Sequence, residues 1–113
     1  MKTVLLIALT LFASPFAYAG GDMAAGAAKS KPCAACHGAD FNTSISPDIP
    51  RLAGQHADFL ARALIDYKSG ARKNAVMNGQ AAALSPQDIQ DLAAYFQNLS
   101  GKLKVIPLHR LVQ

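Results

Sequence analysis

The chain of 113 residues contains no glutamate, so its seven acidic side chains are all aspartates. It has only two cysteines and three histidines, and no histidine stands at an obvious catalytic spacing from an aspartate. Acid–base and nucleophilic catalysis depend on positioned groups of these kinds. No internal repeat and no convincing run of strand residues is present either. These absences favour an all-α protein that is not an enzyme.

The only long apolar run is at the N-terminus. Lys2 precedes an apolar segment over residues 4–13, and Ala17-Tyr18-Ala19 forms an A-x-A cleavage site. This pattern predicts a secretory signal peptide, because the run is too short to span a membrane comfortably. A retained membrane anchor is the alternative. The expected organisation is a signal peptide over 1–19, one small domain over 20–101 and a tail of unknown role over 102–113.

Both cysteines lie in the motif Cys33-Ala34-Ala35-Cys36-His37. C-x-x-C-H is typical of c-type haem attachment, because two thiols one helical turn apart can bond to both vinyl groups of one porphyrin. The adjacent histidine then supplies an imidazole ligand to the iron. The alternatives are a thioredoxin-like redox pair, which expects a βαβ pattern, a zinc site, which needs four ligands, and a plain disulfide. The motif predicts one covalently attached haem c.

The charge balance is mildly basic. Without Lys2 the chain keeps ten basic against seven acidic side chains, a net charge of +3, which two haem propionates would reduce to +1. This charge does not indicate a nucleic-acid partner. Basic residues lie just before the cysteine motif and just before Met77. They either steer an acidic redox partner or form an ordinary solvated surface. They are Lys29, Lys31, Arg72 and Lys73.

Capping residues and apolar periodicity predict three or four short helices joined by long loops. Asp22 begins a helix over 23–30, which Pro32 ends before the cysteine motif. A helix over 56–69 ends at Gly70. The last helix begins with Ser85, Pro86 and Asp88 in a capping box and is expected to end at Gly101. The intervening segments, 38–55 and 70–84, are predicted loops, with one possible helical turn in the alanines near 82.

Five groups of residues together resemble class I cytochrome c, most closely one domain of the cytochrome c4 and short-chain cytochrome c553 group. They are the segments 33–38, 50–55, 67–72, 77–78 and 84–96. The resemblance implies the cytochrome c fold, an all-α arrangement of helices and long loops around one covalently attached haem. The tail departs from this family and inherits nothing from it.

The resemblance also implies roles for particular residues. Met77 takes the position of the distal iron ligand opposite His37, and a soft thioether there favours ferrous iron. His56, His109 or an empty position are the alternatives. The carbonyl of Pro50 is expected to accept the second ring N–H of His37.

Haem-packing and helix-packing candidates follow from the same resemblance. They are Leu52, Phe59, Leu64 and Phe96, with Pro50 and Leu52 assigned to the haem pocket. The first helix is expected to cross the last, with Gly26 and Ala27 allowing close contact near Tyr95 and Phe96.

The function that these observations predict is single-electron transfer by a periplasmic monohaem cytochrome. Covalent haem attachment in bacteria takes place outside the cytoplasm, so the signal peptide and the motif support each other. The expected partners are redox proteins, such as a membrane oxidase or a periplasmic dehydrogenase. One alternative is a haem subunit of a larger dehydrogenase or oxidase complex. Another is a five-coordinate haem protein that binds a small ligand.

Overall fold

The structure, a computed structural model, describes residues 20–103. The helices of this part are α1 (Met23–Lys29), a 3-10 turn (Lys31–Cys33), α2 (Ala34–His37), α3 (Ala57–Ser69), α4 (Ala75–Ala82) and α5 (Pro86–Asn98). Residues 20–103 contain no strand, which confirms the all-α prediction for them. The predicted signal peptide, residues 1–19, and tail residues 104–113 lie outside the described residues. No helix within 20–103 is long and apolar enough to cross a membrane.

The predicted helix starts are confirmed. The Asp22 side chain accepts hydrogen bonds from the backbone N–H groups of Ala24 and Ala25, and Ser85 and Asp88 form the reciprocal capping box of α5. Gly70 ends α3 in the left-handed conformation, with a φ of 80°. The side chains of Asp22 and Ser85 accept hydrogen bonds from backbone N–H groups that have no other partner in the first helical turn. Local sequence therefore determines where these helices begin.

The end of α5 differs from the prediction. The helix stops at Asn98, and Leu99 is already extended. The carbonyl of Phe96 accepts a hydrogen bond of 2.8 Å from the backbone N–H of Gly54. This bond ties a carbonyl of the last turn of α5 to the loop before α3. The chain leaves the helix after this turn, before it reaches Gly101.

Helices α1 and α5 cross at close range, as predicted. A Cβ atom at Gly26 would overlap the Asp91 carbonyl and lie 2.7 Å from Tyr95 Cβ. The core lies where α3 and the long loop meet α5, and its aromatic centre joins Phe41 to Phe96 with ring centroids 4.8 Å apart. Its buried side chains are Phe41, Ala53, Leu60, Ala61, Ile89, Leu92, Ala93 and Phe96.

A buried carboxylate fastens α1 to α5. Asp91 is 3% exposed and accepts hydrogen bonds from the Asp22 backbone N–H (2.8 Å), the Gln87 side chain (2.8 Å) and Lys29 Nζ (3.3 Å). The Asp22 and Gln87 donors, followed by Lys29, lower the pKa of Asp91. Its contribution to stability is therefore present at neutral pH and is lost as the pH falls below about 4 and through the folded-state pKa.

The same cluster gives Lys29 a structural role. Lys29 Nζ lies 3.2 Å from Asp88 Oδ1 as well as 3.3 Å from Asp91 Oδ2. These two carboxylates raise the pKa of Lys29. Lys29 therefore links α1 to α5, a role that neither interpretation from the sequence, partner steering or an ordinary solvated surface, included.

The prediction of a loop over 70–84 is wrong for its middle part, which forms α4. Asn74 accepts a hydrogen bond of 3.0 Å from the Met77 backbone N–H, and Asn78 Oδ1 accepts one of 2.9 Å from the Asn74 N–H. Two asparagines thus build a reciprocal cap of the kind that Ser and Glu usually make. Of the eight residues only Ala81 is buried, so no apolar stripe indicated the helix.

Replacing Gly26 by alanine is expected to lower the free energy of unfolding by about 1–3 kcal/mol, because the added methyl group forces α1 and α5 apart. Urea unfolding of the wild type and variant measures the change. Ala28→Leu is the control, because it adds volume on an exposed position of the same helix and should change stability by less than about 0.5 kcal/mol. Equal effects of the two substitutions would contradict the close crossing.

Candidate haem-binding site

The cysteine motif is folded into one continuous pair of helical turns. Pro32 has no N–H to continue α1, and the chain tightens into the 3-10 turn that ends at Cys33. Helix α2 follows without a break, and the Gly38 N–H closes it with a 3.0 Å hydrogen bond to Ala34 O. The short turn predicted for the motif is confirmed. Cys33, Cys36 and His37 consequently lie on adjacent turns of the same short element.

The two thiols are free and half-buried. Cys33 packs against the hydrophobic core, and this burial raises the pKa of its thiol. No group of three or more histidine, cysteine or acidic side chains that could share a metal ion is found among residues 20–103. Two unpaired thiols one turn apart are the chemical groups that add to the vinyl groups of a porphyrin.

His37 is the most constrained side chain of the site. It is 6% exposed, and its Nδ1 lies 2.7 Å from the carbonyl oxygen of Pro50. A carbonyl can only accept, so Nδ1 carries the ring proton and Nε2 keeps its lone pair for a metal. The hydrogen bond that the family resemblance implied is present.

The loop over 38–55 brings Pro50 back to His37 through two unusual backbone conformations. Gly38 has a φ of 88°, and a Cβ atom there would overlap the Thr43 carbonyl. Phe41 has a φ of 55° although it is not glycine, and its carbonyl accepts the N–H groups of Leu52 (2.9 Å) and Ala53 (3.1 Å). The Phe41 ring is buried in the core, which stabilises this uncommon conformation.

The same loop is tied to the end of the described chain. Asn42 is 8% exposed, and its side-chain amide donates to Asp40 O (3.1 Å) and Ser100 O (3.0 Å). Its Oδ1 accepts the Lys102 N–H at 2.9 Å. The proximal side of the site is therefore supported by both the core and the segment that follows α5.

Met77 lies half-buried on α4, and not on a loop as expected. The other methionine among residues 20–103 is Met23, which is 51% exposed on α1. His56, one of the alternative ligands, is exposed at the start of α3, and His109 lies outside the described residues.

Three of the four predicted packing residues lie in or against the core, and the fourth is exposed. Leu52 and Leu64 pack against the core, and Phe96 belongs to it. Phe59 is 54% exposed and is not part of the packing between helices. Pro50 is exposed, so it contributes to the site through its backbone carbonyl.

The donor set fits haem c. Two free thiols, an imidazole whose Nδ1 is bonded to a carbonyl so that Nε2 is left for a metal, and a thioether are the groups that this cofactor takes from a protein. The core has few large side chains, so a bound porphyrin would supply much of the apolar interior that so short a chain lacks.

Comparison with known proteins identifies the family. Residues 23–100 match the family model for cytochrome c, and the chain belongs to the cytochrome c family. The fold is accordingly the cytochrome c fold, and the cofactor is one covalently bound haem c. Both agree with the prediction from sequence.

Within the family the chain is similar to cytochrome c4. It is 46% identical over 95 residues to cytochrome c4 of Pseudomonas aeruginosa, covering 84% of this chain and 47% of that protein. The crystal structure of reduced recombinant cytochrome c4 from Pseudomonas stutzeri gives a TM-score of 0.67 at 41% identity, covering 74% of this chain and 48% of that one. The chain thus spans about half the length of these relatives.

Two further relatives are matched over more of their length. Cytochrome c-554(548) of Halomonas halodenitrificans is 42% identical over 81 residues, which are 69% of this chain and 96% of that protein. The cytochrome subunit of sulfide dehydrogenase from Chlorobaculum tepidum is 41% identical over 70 residues, which are 62% of each chain.

Sequence reasoning missed the residues that hold α4 in place. Asn78 and Lys68 entered only as parts of the segments that carry the resemblance. Asn74 was the available signal, because asparagine is a favoured N-cap residue, whereas Asn78 lies one position beyond the N3 site of a capping box. The backbone oxygens that Asn78 and Lys68 bond could not be read from the sequence.

Replacing both Cys33 and Cys36 by serine is expected to abolish covalent attachment, because a hydroxyl does not form the thioether. Protein matured with haem is denatured in acid and desalted, and the haem that remains with the polypeptide is measured. The wild type should retain all of its haem and the double variant none. His56→Ala, which changes an exposed imidazole, should retain it fully; haem that stays bound to the double variant would refute attachment at this motif.

Proposed function

We propose that this protein is a periplasmic monohaem cytochrome that carries single electrons between redox protein partners. In this proposal residues 1–19 are a signal peptide cleaved after Ala19, and residues 20–101 are the haem domain. Cys33 and Cys36 are the thioether attachment sites. Membership of the cytochrome c family supports this function.

His37 and Met77 are the proposed axial ligands of the iron. The observation that carries the assignment of His37 is the bond between its Nδ1 and the Pro50 carbonyl, because it leaves Nε2 as the only free ring nitrogen. Pro50 and Leu52 are proposed to line the haem pocket on this side. Met77 is supported by its place on α4 and by its similarity in position to the family's distal methionine.

The residues around the iron favour electron transfer over catalysis. When bound, the haem supplies a one-electron couple between ferric and ferrous iron, whose potential the axial ligands set. The protein holds the His37 ring at a fixed tautomer and orientation through Pro50, so little rearrangement accompanies a change of charge. If His37 and Met77 both hold the iron, they would leave it no free position for a substrate, and the proposed role is that of a carrier.

The proposed partner surface uses fewer charges than the sequence suggested. Lys31 and Lys73 are exposed. Arg72 is exposed as well, with its guanidinium 4.9 Å from the centre of the Tyr67 ring. These three cations are available to an acidic protein surface, whereas Lys29 is paired inside the fold. An acidic redox partner remains a proposal.

A second candidate is a haem subunit of a larger periplasmic oxidoreductase. The relative named as the cytochrome subunit of sulfide dehydrogenase favours this possibility. Both functions use the same haem chemistry, so the site does not distinguish them. Purification of the native protein with a stably associated dehydrogenase would favour the subunit.

Met77→Ala is expected to lower the reduction potential by an amount on the order of 0.1 V, because the thioether favours ferrous iron and axial ligation sets the potential. It should also open the iron to added ligands such as imidazole. Potentiometric titration of the haem-loaded protein measures the shift. Met23→Ala removes the exposed methionine of α1 and should leave the potential unchanged. An unaltered potential in Met77→Ala would exclude this residue as a ligand and make the five-coordinate or bis-histidine alternatives the better accounts.

A further inference from the structure

Helix α4 is attached to the rest of the fold with little apolar packing. Of its eight residues only Ala81 is buried, while Val76 is 63% exposed and Met77 is half-buried. Short helices are marginal in water and normally depend on an amphipathic face packed against the core. Other interactions must therefore determine where α4 lies.

Asn78 supplies most of these interactions. Its Nδ2 donates to the carbonyl of Tyr67 at 2.6 Å and to the carbonyl of Arg72 at 2.9 Å. Its Oδ1 accepts the Asn74 N–H at 2.9 Å. Both side-chain donors and the acceptor are thus used. A single side chain joins the last turn of α3, the connecting loop and the start of α4.

Two further contacts complete the attachment. Asn74 Oδ1 accepts the backbone N–H of Met77 at 3.0 Å, so Met77 is itself bonded into this network. At the other end of α4, Lys68 Nζ donates to Ala82 O at 2.9 Å and to Leu84 O at 2.6 Å. Helix α4 is held to α3 at both ends through hydrogen bonds from side chains to backbone atoms.

We propose that Asn78 is a positioning residue for the distal thioether, and that its hydrogen bonds determine how readily Met77 leaves the iron. This inference rests on the proposed function, in which Met77 is the axial ligand. Met77 directly precedes Asn78 on the helix, so a backbone movement of α4 that withdraws the Met77 sulfur also displaces Asn78 from the carbonyls of Tyr67 and Arg72. Breaking those two hydrogen bonds therefore adds to the free energy that is needed to remove Met77 from the iron.

The inference is tested in the ferric, haem-loaded protein by titration with imidazole. Imidazole competes with Met77 for the iron, and loss of the weak far-red charge-transfer band of the thioether–iron bond reports the exchange. Asn78→Ala removes all three hydrogen bonds. Asn78→Asp keeps the acceptor and the size of the side chain but removes both donors, which provides a second variant if the alanine variant matures poorly.

Gly26→Ala is the control for general destabilisation. Gly26 lies where α1 crosses α5, an added Cβ atom there would overlap the Asp91 carbonyl, and α1 packs against neither α3 nor α4. Urea unfolding of each variant is measured beside the titration. Gly26→Ala is expected to lose stability without a change in imidazole affinity.

The expected result is an increase of about tenfold in imidazole affinity for both Asn78 variants, with wild-type affinity in Gly26→Ala. Wild-type affinity in the Asn78 variants, with the far-red band present in the wild type, would overturn the role of Asn78 while leaving Met77 as the ligand. An equal increase in Gly26→Ala would also overturn it, because general destabilisation would then explain the effect. A wild-type protein without the band would overturn both this role and the proposed ligation by Met77.

Discussion

The hydrogen bond between His37 Nδ1 and the Pro50 carbonyl is the interaction on which the site depends. It fixes the ring tautomer, so that Nε2 is the nitrogen available to iron, and it holds the ring in one orientation. The bond requires the long loop to return to α2. That return depends on the positive φ angles of Gly38 and Phe41 and on the Phe41 ring, which is buried against Phe96. The chemistry of the proximal side therefore depends on the loop conformation, which in turn depends on the packing of the core.

The two sides of the site are built on different principles. The proximal side is fixed by the cysteine motif, by the hydrophobic core and by Asn42, which ties the loop to the segment after α5. The proposed distal side rests on α4, whose position is set by Asn78 and Lys68 through bonds to backbone carbonyls. Water can replace a hydrogen bond from a side chain to a backbone carbonyl. Losing such a bond therefore costs less free energy than exposing a buried apolar face. The distal helix is thus the part of the site where single side chains have the most influence.

Much of the fold follows from local sequence, and the exceptions have physical causes. Asp22, Ser85 and Gly70 determine helix ends within a few residues, and apolar periodicity indicates the buried face of α5. The haem motif and the role of the Pro50 carbonyl were also predictable, the second through family resemblance. Helix α4 was not, because Gly79 weakens its helical propensity and its stability comes from carbonyls on another segment. The ion pairs of Lys29 were not predicted, because its partners, Asp88 and Asp91, are distant in sequence.

The central claim is that His37 and Met77 hold the iron of a haem attached at Cys33 and Cys36. The absorption spectrum of the ferric, haem-loaded protein tests it most directly. The account predicts low-spin iron with the weak far-red band of a thioether–iron bond. A high-spin spectrum would contradict it and indicate an open position for small ligands. A low-spin spectrum without the band would also contradict it and would make His56 or His109 the second ligand.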